Sequence, residues 1–193
     1  MGIDISNKPS PHSLKTKIRR VLWAVVYRLF FRATPNPLRK WRCFVLRCFG
    51  AKVSPLARIS PTAVITFPWN LEMEDYATLG PDAICYSTAP IFIGRMATVS
   101  QYAYLCSATH DYEDKNFTLY AEPIRIESEA WVCADAMVGP GVTVGEGAVL
   151  GAKSTAFKNL EPWKVYAGMP AVIIKDRTIK SDRSLEENEL PNQ

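Results

Sequence analysis

From Ile126 to Thr155 the chain repeats a six-residue pattern without a gap. Units open at Ile126, Val132, Val138, Val144 and Leu150, all aliphatic, and carry the small or β-branched Ala130, Ala136, Val142, Ala148 and Ser154 four places later. A helix would return apolar residues at every third or fourth position, and a half-buried strand at every second. A period of six instead predicts a coil with flat sides and corners, three units to each turn of a triangular prism, with turns stacked at the strand spacing of roughly 4.8 Å. The opening aliphatic then points inward and stacks on its equivalents, so the core exists only through stacking. Gly139, Gly141, Gly145 and Gly147 suit corners, where φ turns positive or the backbone is crowded.

The same period continues upstream with slips of two residues. Units open at Val53 and Ile59, then at Met73 and Leu79, then at Ile93, Val99 and Leu105. The pattern then stops until Ile126, which predicts that residues 111–125 leave the prism as a loop. Ahead of the repeats the spacing is helical: Leu14, Ile18, Leu22, Val25 and Leu29 share one face, with Lys15, Arg19 and Arg20 off it. Pro35 and Pro37 interrupt, and Leu38, Trp41, Val45, Leu46 and Phe49 form a second amphipathic face ending at Gly50 as C-cap. The run Val21 to Tyr27 is too short to span a bilayer.

The expected organisation is therefore a disordered tail over 1–13, a basic amphipathic helical segment over 14–50, a β-helix over 51–175, and a flexible polar tail over 176–193. Charge divides the chain likewise. Residues 1–52 carry twelve Lys/Arg against Asp4 alone, a net +11, while the remaining 11 bases and 18 acids give −7. The preferred role for 14–50 is a cap over the open prism end, which would otherwise expose apolar rungs. Contact with an anionic membrane through residues 14–49 is the second role. Nucleic acid is disfavoured, because the bases are interleaved with core-type apolars and no reading motif accompanies them.

Five cysteines, Cys43, Cys48, Cys85, Cys106 and Cys133, form no CxxC. An odd count with no signal-peptide pattern points to a reducing cytoplasm. Cys85 opens a repeat unit and belongs to the core. With only His12 and His110 available, a three-His zinc site within one chain is excluded. No Gly-rich phosphate loop supports nucleotide hydrolysis or hydride transfer. His110, where the regular scaffold yields to the loop, has the intrinsic pKa of a general base at neutral pH. The loop mixes Asp111, Tyr112 and Phe117 with other hydrogen-bonding groups, a combination suited to a sugar.

The repeats, the segment Ala108-Thr109-His110-Asp111, the Trp after the loop and Ala167-Gly168-Met169-Pro170-Ala171 together resemble the hexapeptide-repeat acyltransferases. Within them the likeness is to colanic acid biosynthesis acetyltransferases, related to the maltose and galactoside enzymes, and it covers about residues 14 to 175. The resemblance implies an all-β solenoid, a left-handed parallel β-helix. It also implies a homotrimer with sites between subunits, acetyl-coenzyme A as co-substrate and no metal. It assigns His110 as catalytic base. Trp131 would lie beside the reactive end of coenzyme A, with Ala134, Ala152, Lys158 and Lys175 as further coenzyme A contacts. Phe157 and Val172 depart from the family's Thr and Arg at two such positions.

The expected reaction is acetyl transfer from acetyl-coenzyme A to a hydroxyl of a sugar or polysaccharide precursor, without a covalent enzyme intermediate. Asp111, Tyr112 and Phe117 are the candidate acceptor-binding residues. N-acetylation of an amino sugar, transfer of another acyl group, and a non-catalytic β-helix scaffold are the alternatives.

Overall fold

A computed structural model describes residues 12–180. Three parallel ladders form the faces of a prism of about six turns. The first face holds β1 (Lys52–Val53), β4 (Leu71–Met73), β7 (Ile91–Ile93), β12 (Ile124–Ile126) and β15 (Thr143–Val144). The second holds β2 (Arg58–Ile59), β5 (Thr78–Leu79), β8 (Thr98–Val99), β13 (Trp131–Val132) and β16 (Val149–Leu150). It is extended by β18 (Lys164–Gly168) and the antiparallel β19 (Ala171–Asp176). The third holds β3 (Val64–Ile65), β6 (Ile84–Tyr86), β9 (Tyr104–Cys106), β14 (Met137–Val138) and β17 (Thr155–Ala156).

The six-residue period accounts for the core directly. Ile126, Val132, Val138, Val144 and Leu150 are fully buried, and so are Ala130, Ala136 and Ala148 four places into their units. Cys85 is fully buried too, and burial pushes its thiol up to about 12. Corners turn on a left-handed residue, supplied by Gly141 (φ +75°) and Gly147 (φ +63°) and elsewhere by residues such as Tyr76 and Met96. Gly145 has the other reason to be glycine: a Cβ there would lie 2.7 Å from Leu160 O and Pro162 N.

The excursion between β9 and β12 is a β-hairpin, with β10 (Ala108–His110) antiparallel to β11 (Leu119–Ala121). Ile124 and Arg125, expected in the loop, already pair with Ile91 and Phe92 on the first face. The hairpin leaves the prism at the corner between third and first faces, opposite the second.

Two helices precede the prism, α1 (Leu14–Val26), prolonged by a π-helical stretch Tyr27–Arg32, and α2 (Arg39–Cys48). Ser13 caps α1 by accepting a hydrogen bond from Thr16 N at 3.2 Å, and Gly50 follows α2 with φ +92°. The first turn has no turn before it to satisfy its carbonyls. Side chains of the helices do this: Trp23 Nε1 donates to Ile65 O (2.6 Å), Tyr27 Oη to Ala63 O (3.2 Å) and Arg42 Nε to Ile59 O (2.8 Å).

The apolar face expected to seal the prism does not do so. Leu14, Ile18, Leu22, Val25 and Leu29 all point to solvent, and α1 packs instead through Trp23, with Phe31 buried in the stretch that follows. Of the second expected face, Val45 and Leu46 are buried, whereas Leu38 and Trp41 are exposed. Of the tails expected over 1–13 and 176–193, Ser13 instead caps α1, Asp176 ends β19 and Arg177 N donates to Trp163 O at 2.8 Å, while residues 1–11 and 181–193 lie outside the described residues.

Candidate functional site

His110 ends β10, where antiparallel pairing with Leu119 of β11 holds its backbone and the ring stands at the surface. Its Nδ1 lies 2.8 Å from Phe117 O. A carbonyl oxygen only accepts, so Nδ1 carries the proton and the ring's lone pair sits on Nε2. The Phe117 ring stacks on the imidazole at 5.5 Å and 27°.

The turn that presents Phe117 O is built from local hydrogen bonds. Phe117 stands in the left-handed region (φ +53°), and its N–H donates to Asp114 O at 2.8 Å. Asp114 Oδ1 accepts from Asn116 N at 2.9 Å, and its other oxygen accepts from the Thr118 hydroxyl. The Thr118 and Asn116 donors hold the Asp114 carboxyl below the usual carboxylate range. Asp111 Oδ1 accepts from Glu113 N at 3.0 Å, which is an Asx turn. Tyr112 is exposed.

Trp131 opens β13 on the second face, outward and 44% exposed, with its Nε1 donating to Ser100 Oγ at 2.9 Å. In the ladder Trp131 pairs with Val149, Val149 with Val165, and Val165 with Lys175. Trp131 and Lys175 therefore end one row three strand spacings long, roughly 14 Å. Ala134 and Ala152 occupy equivalent corners one turn apart, with Lys153 N donating to Ala134 O at 3.0 Å. Lys158 is exposed after β17.

The structure thus separates the sequence-derived residues around the prism. His110, Asp111, Tyr112 and Phe117 belong to the hairpin, and Trp131 and Lys175 belong to the second face. Ala134, Ala152 and Lys158 sit at corners bordering the third face. Sequence reasoning overlooked Ser100, which anchors the Trp131 indole, and the Phe117 carbonyl, which sets the His110 tautomer. A Ser one repeat turn before the Trp was the available signal for the first; a backbone acceptor leaves none.

Cys106 is buried and donates to Ala108 O at 3.1 Å, and burial pushes the Cys133 thiol up. Among the described residues no cluster of three or more His, Cys, Asp or Glu could hold a metal.

The chain is 42% identical over 160 residues to the Escherichia coli protein named "Putative colanic acid biosynthesis acetyltransferase WcaF", covering 83% of this chain and 88% of that one. A shorter stretch of 62 residues is 37% identical to the Escherichia coli galactoside O-acetyltransferase, covering 32% of this chain and 30% of the other. Among solved structures, a hexapeptide-repeat acetyltransferase of Vibrio cholerae complexed with acetyl-coenzyme A superposes with a TM-score of 0.77 at 19% identity, over 88% of this chain and 93% of that one. A galactoside acetyltransferase in complex with coenzyme A gives 0.76 at 22% identity, over 91% and 88%. No protein-family model matches.

Proposed function

Because the chain belongs to the hexapeptide-repeat acetyltransferases, and is therefore an acyltransferase using acetyl-coenzyme A, we propose that it acetylates a hydroxyl of a sugar or polysaccharide precursor with His110 as general base. The observation carrying this reading is the 2.8 Å contact between His110 Nδ1 and Phe117 O, which leaves Nε2 as the ring's proton acceptor. Nε2 takes the acceptor hydroxyl proton as its oxygen attacks the thioester carbonyl. The new C–O bond forms, the tetrahedral oxyanion collapses, the C–S bond breaks, and the imidazolium returns the proton to the departing thiolate. Backbone N–H groups near the hairpin exit stabilise the oxyanion.

Coenzyme A lies along the second face in this reading, its thioester beside Trp131 and its nucleotide end toward Lys175. The row between them is supportive because its length suits an extended pantetheine. Ala134 and Ala152 contribute small corners that let the cofactor approach, and Lys158 adds positive charge. Asp111 shapes the hairpin, and Tyr112 and Phe117 line the acceptor's approach.

The protein acts as a homotrimer in this proposal. The support is geometric: His110 leaves the prism at the corner opposite the face bearing Trp131, so base and thioester meet only across a subunit boundary.

The test is steady-state release of coenzyme A with a panel of neutral, amino and lipid-linked sugars, comparing wild type with His110→Ala. Acceptor-dependent release that falls by orders of magnitude in the variant supports the assignment. Release unchanged in the variant removes His110 as the base.

A further inference from the structure

We propose that the outward face of α1 and its π-helical continuation docks in the plane of an anionic lipid bilayer. The face is an unbroken apolar stripe at helical spacing, with Leu14 73%, Leu22 56% and Leu29 62% exposed. At 1.5 Å per residue it runs roughly 24 Å from Leu14 to Phe30. Trp41 and Phe44 of α2 continue it, since Trp41 Nε1 donates to Phe30 O at 2.7 Å and the two rings lie 5.7 Å apart. Both are exposed, and among the described residues nothing covers the patch. Contiguous exposed apolar surface of this extent marks an interaction site rather than the ordinary scatter of surface leucines.

The prism does not need this face. Trp23, Tyr27 and Arg42 already satisfy the end-turn carbonyls from the other sides of the helices. Arg19 and Arg20 lie over the Trp69 and Phe67 rings at 4.0 and 5.1 Å. The stripe is surplus to the cap.

Charge decides the occupant. No Asp or Glu occurs between Asp4 and Glu72. By helical spacing Lys15 stands on one side of the stripe and Lys17 and Arg28 on the other, all exposed. Bases flanking an aliphatic face let the chain bury its apolar side chains at the acyl boundary while the cationic heads reach lipid phosphates. A second copy of the same surface would set like charges against each other. No described helix is long and apolar enough to cross a membrane, so the helix lies on the surface. His110 follows β9 in the third turn, roughly 10 Å along the prism axis from the capped first turn. Docking would thus hold the hairpin close to the headgroups.

The test is flotation of the full chain with vesicles of phosphatidylcholine alone or with about a third phosphatidylglycerol. Size-exclusion chromatography with light scattering runs in parallel. The wild type is expected to float with the anionic vesicles, weakly with the neutral ones, and less at 0.5 M salt than at about 0.1 M as screening rises. Leu22→Glu with Leu29→Glu, and separately Lys17→Glu with Arg28→Glu, should each weaken binding at least tenfold, while His110→Ala binds as wild type. Circular dichroism and unchanged oligomer mass show that the variants are folded. Absence of binding to anionic vesicles, or binding indifferent to both double variants, overturns the proposal. So does a leucine double variant whose oligomer becomes smaller, which would assign the stripe to a subunit contact.

Discussion

His110 and Phe117 form a closed unit in which the imidazole donates through Nδ1 to the Phe117 carbonyl at 2.8 Å and stacks on the Phe117 ring at 5.5 Å. The residue that fixes the tautomer therefore also fixes the ring plane. Replacing His110 by Ala removes the proton acceptor and is expected to lower kcat by about 10²- to 10⁴-fold with little change in acetyl-coenzyme A binding. Steady-state kinetics with isothermal titration of coenzyme A checks both halves. An unchanged kcat would remove the base from this position.

Phe117→Gly separates positioning from chemistry. Glycine tolerates φ +53° and keeps the carbonyl, so the ring stack is lost while the backbone acceptor stays. The expected result is a drop in kcat of about 3- to 10-fold, the equivalent of roughly 1 kcal/mol of ring positioning, with the KM for acetyl-coenzyme A unaltered. A rise in acceptor KM at constant kcat would instead limit the ring to lining the acceptor's approach.

The prism core was legible in the sequence because its period is enforced at every turn. Ile126, Val132 and Leu150 can only face inward if units of six are to stack, and all three are fully buried. The helices were not legible in the same way. A 3.6-residue apolar stripe records that Leu14, Ile18 and Leu22 share a face, but not whether protein or another phase covers it. The signal for the sealing face lay in the donors, Trp23, Tyr27 and Arg42, since an open prism end presents carbonyls that aliphatic side chains cannot satisfy. At the site, His110 and Trp131 were readable from their place in the repeat, whereas a backbone acceptor such as Phe117 O has no residue signature.

Packing at the corners predicts a steric cost. An alanine Cβ at position 145 would meet the backbone of Leu160 and Pro162 at 2.7 Å, with no flexible side chain to yield. Gly145→Ala is expected to destabilise by about 1–3 kcal/mol. Leu150→Ala, which empties a fully buried position, should cost about 2–5 kcal/mol. Denaturant midpoints at constant slope measure both, and a neutral Gly145→Ala would show that the last turn shifts freely.

Cys85 gives the alkaline limit a specific contributor. Its thiol is pushed from about 9 in the unfolded chain to about 12 in the core, by burial alone. The unfolded state therefore releases its proton first, and stability held below about pH 9 is lost progressively as pH rises toward 12. One group contributes at most about 1.4 kcal/mol per pH unit over that window. Cys85→Ala should flatten this part of the stability profile, and a thiol reagent should label Cys85 in urea but not in the native protein. Native labelling at the same rate as in urea would contradict the burial.

A shared site makes a prediction that neither half makes alone. His110 stands on the hairpin at one corner of the prism, and Trp131 on the opposite face. Trp131→Ala is expected to raise the KM for acetyl-coenzyme A by up to about tenfold, because an indole stacked near the reactive end is worth roughly 0.5–1.5 kcal/mol. It should leave stability unaffected, since the side chain is exposed. If base and indole come from neighbouring subunits, each single variant is impaired in every site of its own trimer. Unfolding and refolding a 1:1 mixture of His110→Ala and Trp131→Ala then creates interfaces at which both residues are intact, roughly a quarter of all interfaces in a cyclic trimer. Activity at low acetyl-coenzyme A should return to about that fraction of wild type. A site contained within one subunit would restore nothing, because every chain in the mixture still lacks one of the two residues.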